Sequence, residues 1–206
     1  MSEYNTVKFR CPSNIALVKY WGKKSGGVQL PANPSISWTL SDLHATTTVT
    51  RSKLTDLPSS AISLEFFLAG ESKPSFEPKI RQFLERIAPF MPQIKEFHWK
   101  IESENNFPHG TGIASSAAGF GALALCFADF QRADLTAEQS WSEEEFLQIA
   151  SKYARLGSGS ACRSVYGQPG IWGETNAWAE ATDEFAVPFT ADVHESFKYW
   201  ADAVLI

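Results

Sequence analysis

Between Trp99 and Phe130 an alternating segment passes through a glycine- and serine-rich loop straight into an alanine-rich run, and that order restricts the fold more than any other stretch. Trp99, Ile101 and Ser103 alternate with Lys100 and Glu102, the two-residue period of a strand. The loop reads Pro108-His109-Gly110-Thr111-Gly112-Ile113-Ala114-Ser115-Ser116-Ala117-Ala118-Gly119. The helix expected from Ser115 to Phe130 carries Ala and Gly on one side and Phe120, Leu123 and Phe127 on another, so its backbone can approach a neighbour closely. Glycines permit a tight loop, and the unpaired N–H groups and dipole at the helix start favour an anion. No Lys-Ser/Thr pair follows the glycines, so this is not a Walker A loop, and the partial GxGxxS match to a dinucleotide fingerprint is weak. On local physics alone the segment reads equally well as a phosphate site or as a capped helix eased by glycine.

The elements before it are mostly strands. Val7 to Arg10, Ser35 to Leu40, Thr46 to Arg51 and Ile62 to Leu68 are rich in β-branched or aromatic residues, with a turn at Gly70-Glu71. Ile80, Phe83, Leu84, Ile87 and Ala88 then sit at helical spacing between Phe76 and Ala88. Beyond the loop, Ser142 and Glu145 form a capping-box pattern ahead of Phe146, Ile149, Ala150 and Tyr153, which predicts a second long helix. Gly170 to Gly173, Phe185 to Val187 and Tyr199 to Ile206 read as strands, the last an apolar strand entering a core where the sequence stops.

Two further segments carry anion-binding chemistry. In Cys11-Pro12-Ser13-Asn14-Ile15-Ala16-Leu17-Val18-Lys19-Tyr20-Trp21-Gly22-Lys23-Lys24, Lys19, Tyr20 and Lys23 punctuate an apolar stretch. They fit an anion site, or else lysines snorkelling from an edge strand while Tyr20 and Trp21 pack, the reading the segment favours when taken alone. Ser158-Gly159-Ser160-Ala161-Cys162-Arg163-Ser164 offers hydroxyls, a pliable backbone and an Arg fork suited to carboxylate or phosphate, or else a capped turn with a surface arginine. Three such segments in one chain favour a nucleotide together with a substrate of several negative charges. Cys162 beside Arg163 is a weaker candidate, an activated nucleophile or a small packing residue. Glu143 to Glu145 reads as a solvated first helical turn. His44, His98, His109 and His194 lack metal-ligand spacing.

Composition narrows the class. At 206 residues the chain can bury a real core, and its net charge of −5 with no Lys/Arg block argues against nucleic acid. Cys11, Cys126 and Cys162 match neither a disulfide framework nor a zinc site and suit a reducing cytoplasm. No apolar run reaches bilayer length, and the first residues lack a signal-peptide pattern.

Five strings, in order, resemble the mevalonate diphosphate decarboxylases, a branch of the GHMP small-molecule kinase superfamily: Ser13 to Lys23, Leu30 to Ser37, Ser103 to Pro108, Ala114 to Gly119 and Gly157 to Ser164. The Lys-Tyr-Trp-Gly-Lys and Ser-Gly-Ser-Ala-Cys-Arg strings belong to the decarboxylase branch, whereas the kinases share the Gly/Ser loop. The resemblance implies an α+β GHMP fold, with residues 1–190 forming a ribosomal S5 domain 2-like, ATP-binding domain and 191–206 starting a ferredoxin-like C-terminal domain. It implies an enzyme that uses ATP and Mg2+ to phosphorylate the 3-hydroxyl of mevalonate 5-diphosphate and decarboxylate it to isopentenyl diphosphate. By the same resemblance Pro108, Gly110, Gly112, Ser115 and Ser116 would hold ATP, with Ser116 on magnesium and among the catalytic residues. Lys19 would lie near the reacting hydroxyl, Tyr20, Lys23, Ser158 and Ser160 would face the substrate, and Arg163 would bind its carboxylate. The family's catalytic aspartate is expected beyond Ile206, and homodimers are common among its members. Two other readings remain at this point: a GHMP kinase that does not decarboxylate, and a truncated non-catalytic module that binds nucleotide or a partner.

Overall fold

The computed structural model describes residues 5–55, 61–108, 113–189 and 193–197. The expected strand at Tyr199 to Ile206 lies outside these residues, as do His109, Gly110, Thr111 and Gly112.

The spine is β2 (Ser35–Lys53), a 19-residue strand. Along one edge it pairs antiparallel with β1 (Thr6–Val18). Its other edge is shared: β5 (Phe97–Asn105) takes Ala45 to Lys53, and β6 (Gly170–Trp172) takes Ser35 to Ser37. β3 (Ser63–Leu68) lies parallel to β5, joined through helix α1 (Glu77–Ile87), while the short β4 (Glu71–Ser72) and β7 (Val187–Pro188) extend the two ends of the sheet. The strands predicted at Ser35 to Leu40 and Thr46 to Arg51 are thus one strand. The reason is a bulge: Pro12 pairs with His44 and Ser13 with Leu40, so residues 41–43 of β2 are pushed out of register without ending it. The strand predicted at Phe185 to Val187 shrinks to Val187–Pro188.

Helices cover one face. Helix α2 (Ser115–Ala133) is buried almost all round, from Ala117 and Ala118 to Phe130, between β1, β2 and helix α3 (Glu143–Gly157). Its apolar partners come from alternate strand positions, Val49, Ile101 and Trp99 among them, and Trp99 meets Phe127 with ring centroids 4.7 Å apart. Each fully buried ring of this kind contributes about 1.5–3 kcal/mol. The predicted cap of α3 is present in both directions: Ser142 Oγ accepts from the Glu145 amide at 3.2 Å, and Glu145 Oε2 accepts from the Ser142 amide at 2.8 Å. Among the described residues no helix is long and apolar enough to cross a membrane.

Candidate active site

Two neighbouring residues of β1 hold the centre of the site. The bulge at Pro12/Ser13 lets Ser13 and Asn14 both turn inward, at 0% and 5% exposure, where a regular strand would point one of them out. Ser13 Oγ donates to the carbonyl of Ile113 at 2.5 Å, tying β1 to the entry of α2. Asn14 Nδ2 donates to the Ser160 carbonyl at 3.1 Å and to Ser164 Oγ at 2.7 Å, while its Oδ1 accepts from Arg163 Nη2 at 3.4 Å. The amide orientation is forced, because a carbonyl only accepts and a guanidinium only donates.

Arg163 ends a 3-10 turn (Gly159–Arg163) that leaves the C-terminus of α3. It is 1% exposed, yet among the described residues no carboxylate lies within ion-pair reach of it. Its fork is held by neutral groups: Nε donates to Ser37 Oγ at 2.9 Å, Nη1 donates to Ser35 Oγ, and the guanidinium carbon lies 6.0 Å from the Trp172 ring centroid. Burial pushes the guanidinium below its ordinary range, although arginine stays protonated. A buried cation with three neutral acceptors is a costly arrangement unless an anion joins it.

Tyr20 comes to the same place from the opposite side. Its ring centroid lies 4.8 Å from that of Trp172, and its hydroxyl donates to Gln29 Oε1 at 3.3 Å. Gly159 makes this possible: a Cβ there would stand 2.8 Å from Tyr20 Cε1 and 3.0 Å from Trp172 Cη2. The loop from Lys19 to Pro34 is a folded excursion. Asn33 Nδ2 donates to the Lys19 carbonyl at 3.0 Å, the Trp21 amide donates to Asn33 Oδ1 at 3.2 Å, and Lys23 bridges Pro31 through the backbone. Lys19 and Lys23 are exposed, beyond the end of β1 rather than within an edge strand, and Trp21 is 79% exposed. Ser158 and Ser160 are half-buried beside Gly159. The structure therefore unites Tyr20, the Ser158 to Ser160 turn and Arg163, and leaves the Lys19 and Lys23 side chains facing solvent next to them.

The second half of the site is the start of α2. Ala114 takes a left-handed conformation (φ 50°) and no side chain among the described residues caps the helix, so the amides of its first turn face outward from Ser115 and Ser116. Ala117 and Ala118 instead use the Ala114 carbonyl, at 2.8 and 3.4 Å. Ser115 is half-buried and Ser116 exposed. Both rim a cavity of about 280 Å³ whose walls are largely apolar, Phe66, Phe76, Ile80, Phe120 and Leu123, with Lys79 at its edge. Thr47 and Ser103 on its floor hydrogen-bond each other at 2.9 Å. Pro108 lies on the approach to the loop; Gly110 and Gly112 lie outside the described residues.

Cys162 is a packing residue. It is fully buried, its Sγ donates to the Gly159 carbonyl at 3.0 Å, and burial pushes its thiol up to about 12 despite Arg163 alongside. Asn14, Ser35 and Ser37 were not singled out as site residues by sequence reasoning; the available signal was a strand with serine at alternate positions beside Ile36 and Trp38.

Residues 11–184 match the family model for the diphosphomevalonate decarboxylase-like N-terminal domain. The chain belongs to this family. The diphosphomevalonate decarboxylase of Eremothecium gossypii is 38% identical over 201 residues, covering 93% of this chain and 46% of that protein. The crystal structure of mevalonate diphosphate decarboxylase from Staphylococcus aureus superposes with a TM-score of 0.71 at 33% identity, over 91% of this chain and 51% of that one. A complex of MDDEF with MVAPP, AMPPCP and magnesium superposes with a TM-score of 0.70 at 32% identity, again over 91% and 51%. The architecture is accordingly the α+β GHMP kinase fold of these decarboxylases. The chain spans about half the length of the relatives it matches.

Proposed function

We propose that this chain supplies the ATP-binding and much of the substrate-binding surface of a cytoplasmic diphosphomevalonate decarboxylase, converting mevalonate 5-diphosphate to isopentenyl diphosphate through a 3-phosphorylated intermediate. Residues 1–190 would form the ATP-binding domain and 191–206 would begin the next. One observation carries the reading: a buried guanidinium, Arg163, aimed by Ser35, Ser37 and Asn14 and lacking a carboxylate partner among the described residues. A carboxylated substrate completes that ion pair, and a bidentate fork fixes the carboxylate for departure as carbon dioxide.

The other residues divide by chemistry. Tyr20, Lys23, Ser158 and Ser160 suit the diphosphate, two as hydroxyl donors on the turn and two from the facing loop. Lys19, next to them, lowers the cost of negative charge developing at the 3-hydroxyl. The uncapped start of α2 fits a triphosphate: Ser115, Ser116 and the backbone from Pro108 through Gly110 and Gly112 would hold it, with Ser116 on Mg2+. The apolar cavity beside the two serines suits the nucleotide base. ATP, when bound with Mg2+, supplies the phosphoryl group that turns the tertiary hydroxyl into a leaving group.

The test is stoichiometry in the full-length polypeptide. Equal release of ADP and carbon dioxide from mevalonate 5-diphosphate supports decarboxylation, whereas ADP with the carboxylate retained in the product would reduce the reading to a kinase. Lys19→Ala and Arg163→Ala each abolish turnover if the assigned roles hold; near-normal rates in folded protein would refute them.

A further inference from the structure

The loop that carries Tyr20 and Lys23 is strapped to a second excursion, the segment from Gly173 to Ala186 between β6 and β7, through one carboxylate. Asp183 Oδ2 accepts from Lys24 Nζ at 2.5 Å, and its Oδ1 accepts from the Glu174 amide at 3.0 Å, so the carboxylate is already oriented before it meets the lysine. The carbonyl of Asp183 accepts from Trp172 Nε1 at 2.9 Å, and Trp172 is the ring on which Tyr20 rests. Asp183 therefore holds the polyanion loop at two points, its carboxylate through Lys24 next to Lys23 and its backbone carbonyl through Trp172, the ring against Tyr20. Arg155, 4% exposed, fastens the same pair of segments by donating to the Val28 carbonyl at 2.6 Å and to the Glu184 carbonyl at 2.8 Å. Gly173, with φ 104°, lets β6 leave under the loop, where a Cβ would stand 2.9 Å from Pro34 Cα.

We infer that Asp183 is a positioning residue for the diphosphate site, acting as a latch that sets the loop from Lys19 to Pro34 against the Ser158 to Arg163 turn. The latch also sorts the lysines. Lys24 is neutralised by Asp183, with Glu174 4.0 Å away, while Lys19 and Lys23 have no carboxylate within ion-pair reach among the described residues and keep their charge for a ligand. Consecutive Lys23 and Lys24 thus have different jobs, one facing an anion and one holding the loop.

Two effects of removing the carboxylate oppose each other. Releasing Lys24 adds a mobile cation near the site, which strengthens attraction of any anion; losing the latch lets Tyr20 and Lys23 drift, which weakens binding. If Asp183 positions the loop, the second effect wins. A partly exposed ion pair is worth up to about a fivefold change in an equilibrium. In the full-length polypeptide, Asp183→Asn should therefore speed hydrogen exchange at the Lys24 and Ala32 amides, which close the loop onto Leu30 and Gly22, by about that factor. It should weaken inorganic diphosphate binding by a similar factor, and Asp183→Glu should recover most of both. Lys24→Met should speed the same amides, and the double variant should be no worse than either single.

The diphosphate arm rests on the proposed function; the exchange arm does not. Wild-type protein that fails to bind diphosphate counts against the proposed site, and the exchange pattern still decides the latch. Unchanged exchange at Lys24 and Ala32, acceleration spread equally through β5 and α2, or tighter diphosphate binding in Asp183→Asn would each overturn it.

Discussion

The two halves of the site are built from different materials. The α2 end is a backbone feature: an uncapped helix on a fully packed core element, next to an apolar cavity, with two serines as its main polar side chains. The Arg163 end is made of side chains from β1, β2, α3 and two excursions, joined by hydrogen bonds that span more than a hundred residues of sequence. A backbone site on a buried helix depends less on side-chain networks and more on volume. A site of interlocked side chains fails when one partner is lost. Ser13 and Asn14 mechanically couple the two, one bonded to each side.

The largest effect is expected at Arg163. Arg163→Met removes the cation that would meet the substrate carboxylate, and losing one partner of a buried charge pair costs about 2–5 kcal/mol of affinity. Substrate affinity should fall at least about thirtyfold by calorimetry on the full-length protein, since 1.4 kcal/mol is a factor of ten. Stability should move much less. Removing an unpaired buried charge relieves desolvation, while Ser35, Ser37 and Asn14 each lose a donor, and these opposing terms of about 1–3 kcal/mol leave a small difference. A large fall in denaturant midpoint would mean that Arg163 is chiefly a structural staple.

Two glycines separate the halves. At Gly159 an added methyl meets Tyr20 and Trp172, so Gly159→Ala should push Tyr20 away, with overpacking costing about 1–3 kcal/mol. Diphosphate affinity should drop about tenfold with nucleotide affinity intact. Gly119 lines the cavity, and a Cβ there meets nothing within 4 Å. Gly119→Leu should fill the cavity and weaken nucleotide binding by about tenfold, leave diphosphate binding alone, and raise stability slightly, since glycine costs a helix about 1 kcal/mol. If either substitution affects both ligands equally, the halves are not separable.

The thiols provide a third, smaller contrast. Cys162 sits within the Arg163 turn, while Cys11 on β1 and Cys126 on α2 lie in the main core; burial raises all three, Cys162 to about 12. None should react appreciably with iodoacetamide at neutral pH in native protein, and all should react once unfolded. Fast labelling of Cys162 alone would show that the Ser158 to Arg163 turn opens while the core stays shut.

These differences also explain what the sequence could reveal. The helices, the strand leading into the loop and the capping box at Ser142 depend on residues within a few positions of each other, so their periods and caps were legible. The cluster around Arg163 was legible only in part. Arg163, Tyr20 and the serine turn stand out as unusual strings, but Arg163 is 126 residues from Ser37 and 149 from Asn14. The alternation in Ser35-Ile36-Ser37-Trp38 misleads as well: a two-residue pattern assigns Ile36 and Trp38 to the core, yet the serines are the fully buried pair, at 0% and 1% exposure. Their burial reflects the arginine over them, and no local pattern encodes it. The same holds for Lys24 and Asp183, 159 residues apart. The bulge that merges two predicted strands into β2 was hidden because Ser41 and Asp42 look like a turn.

The smallest effect is a control remote from both ligands. Ser142 caps the start of α3, whose other end delivers Arg155 and the Ser158 turn. Ser142→Ala should lower stability by about 1 kcal/mol. The Glu145 carboxyl is held below its ordinary range by hydrogen bonds from the Ser142 amide and hydroxyl. A carboxyl depressed in the folded state stabilises that state above its unfolded pKa, and the contribution disappears as the pH falls through the folded value. Wild-type protein should therefore lose stability on acidification below pH ~4.5 more steeply than Ser142→Ala, in which the depression is weaker. Both ligand affinities should stay at wild-type values under native conditions. A shift in diphosphate affinity alone would mean that strain at the start of α3 is transmitted along the helix to Arg155 and the turn, so the substrate half depends on the whole length of α3 and the nucleotide half does not.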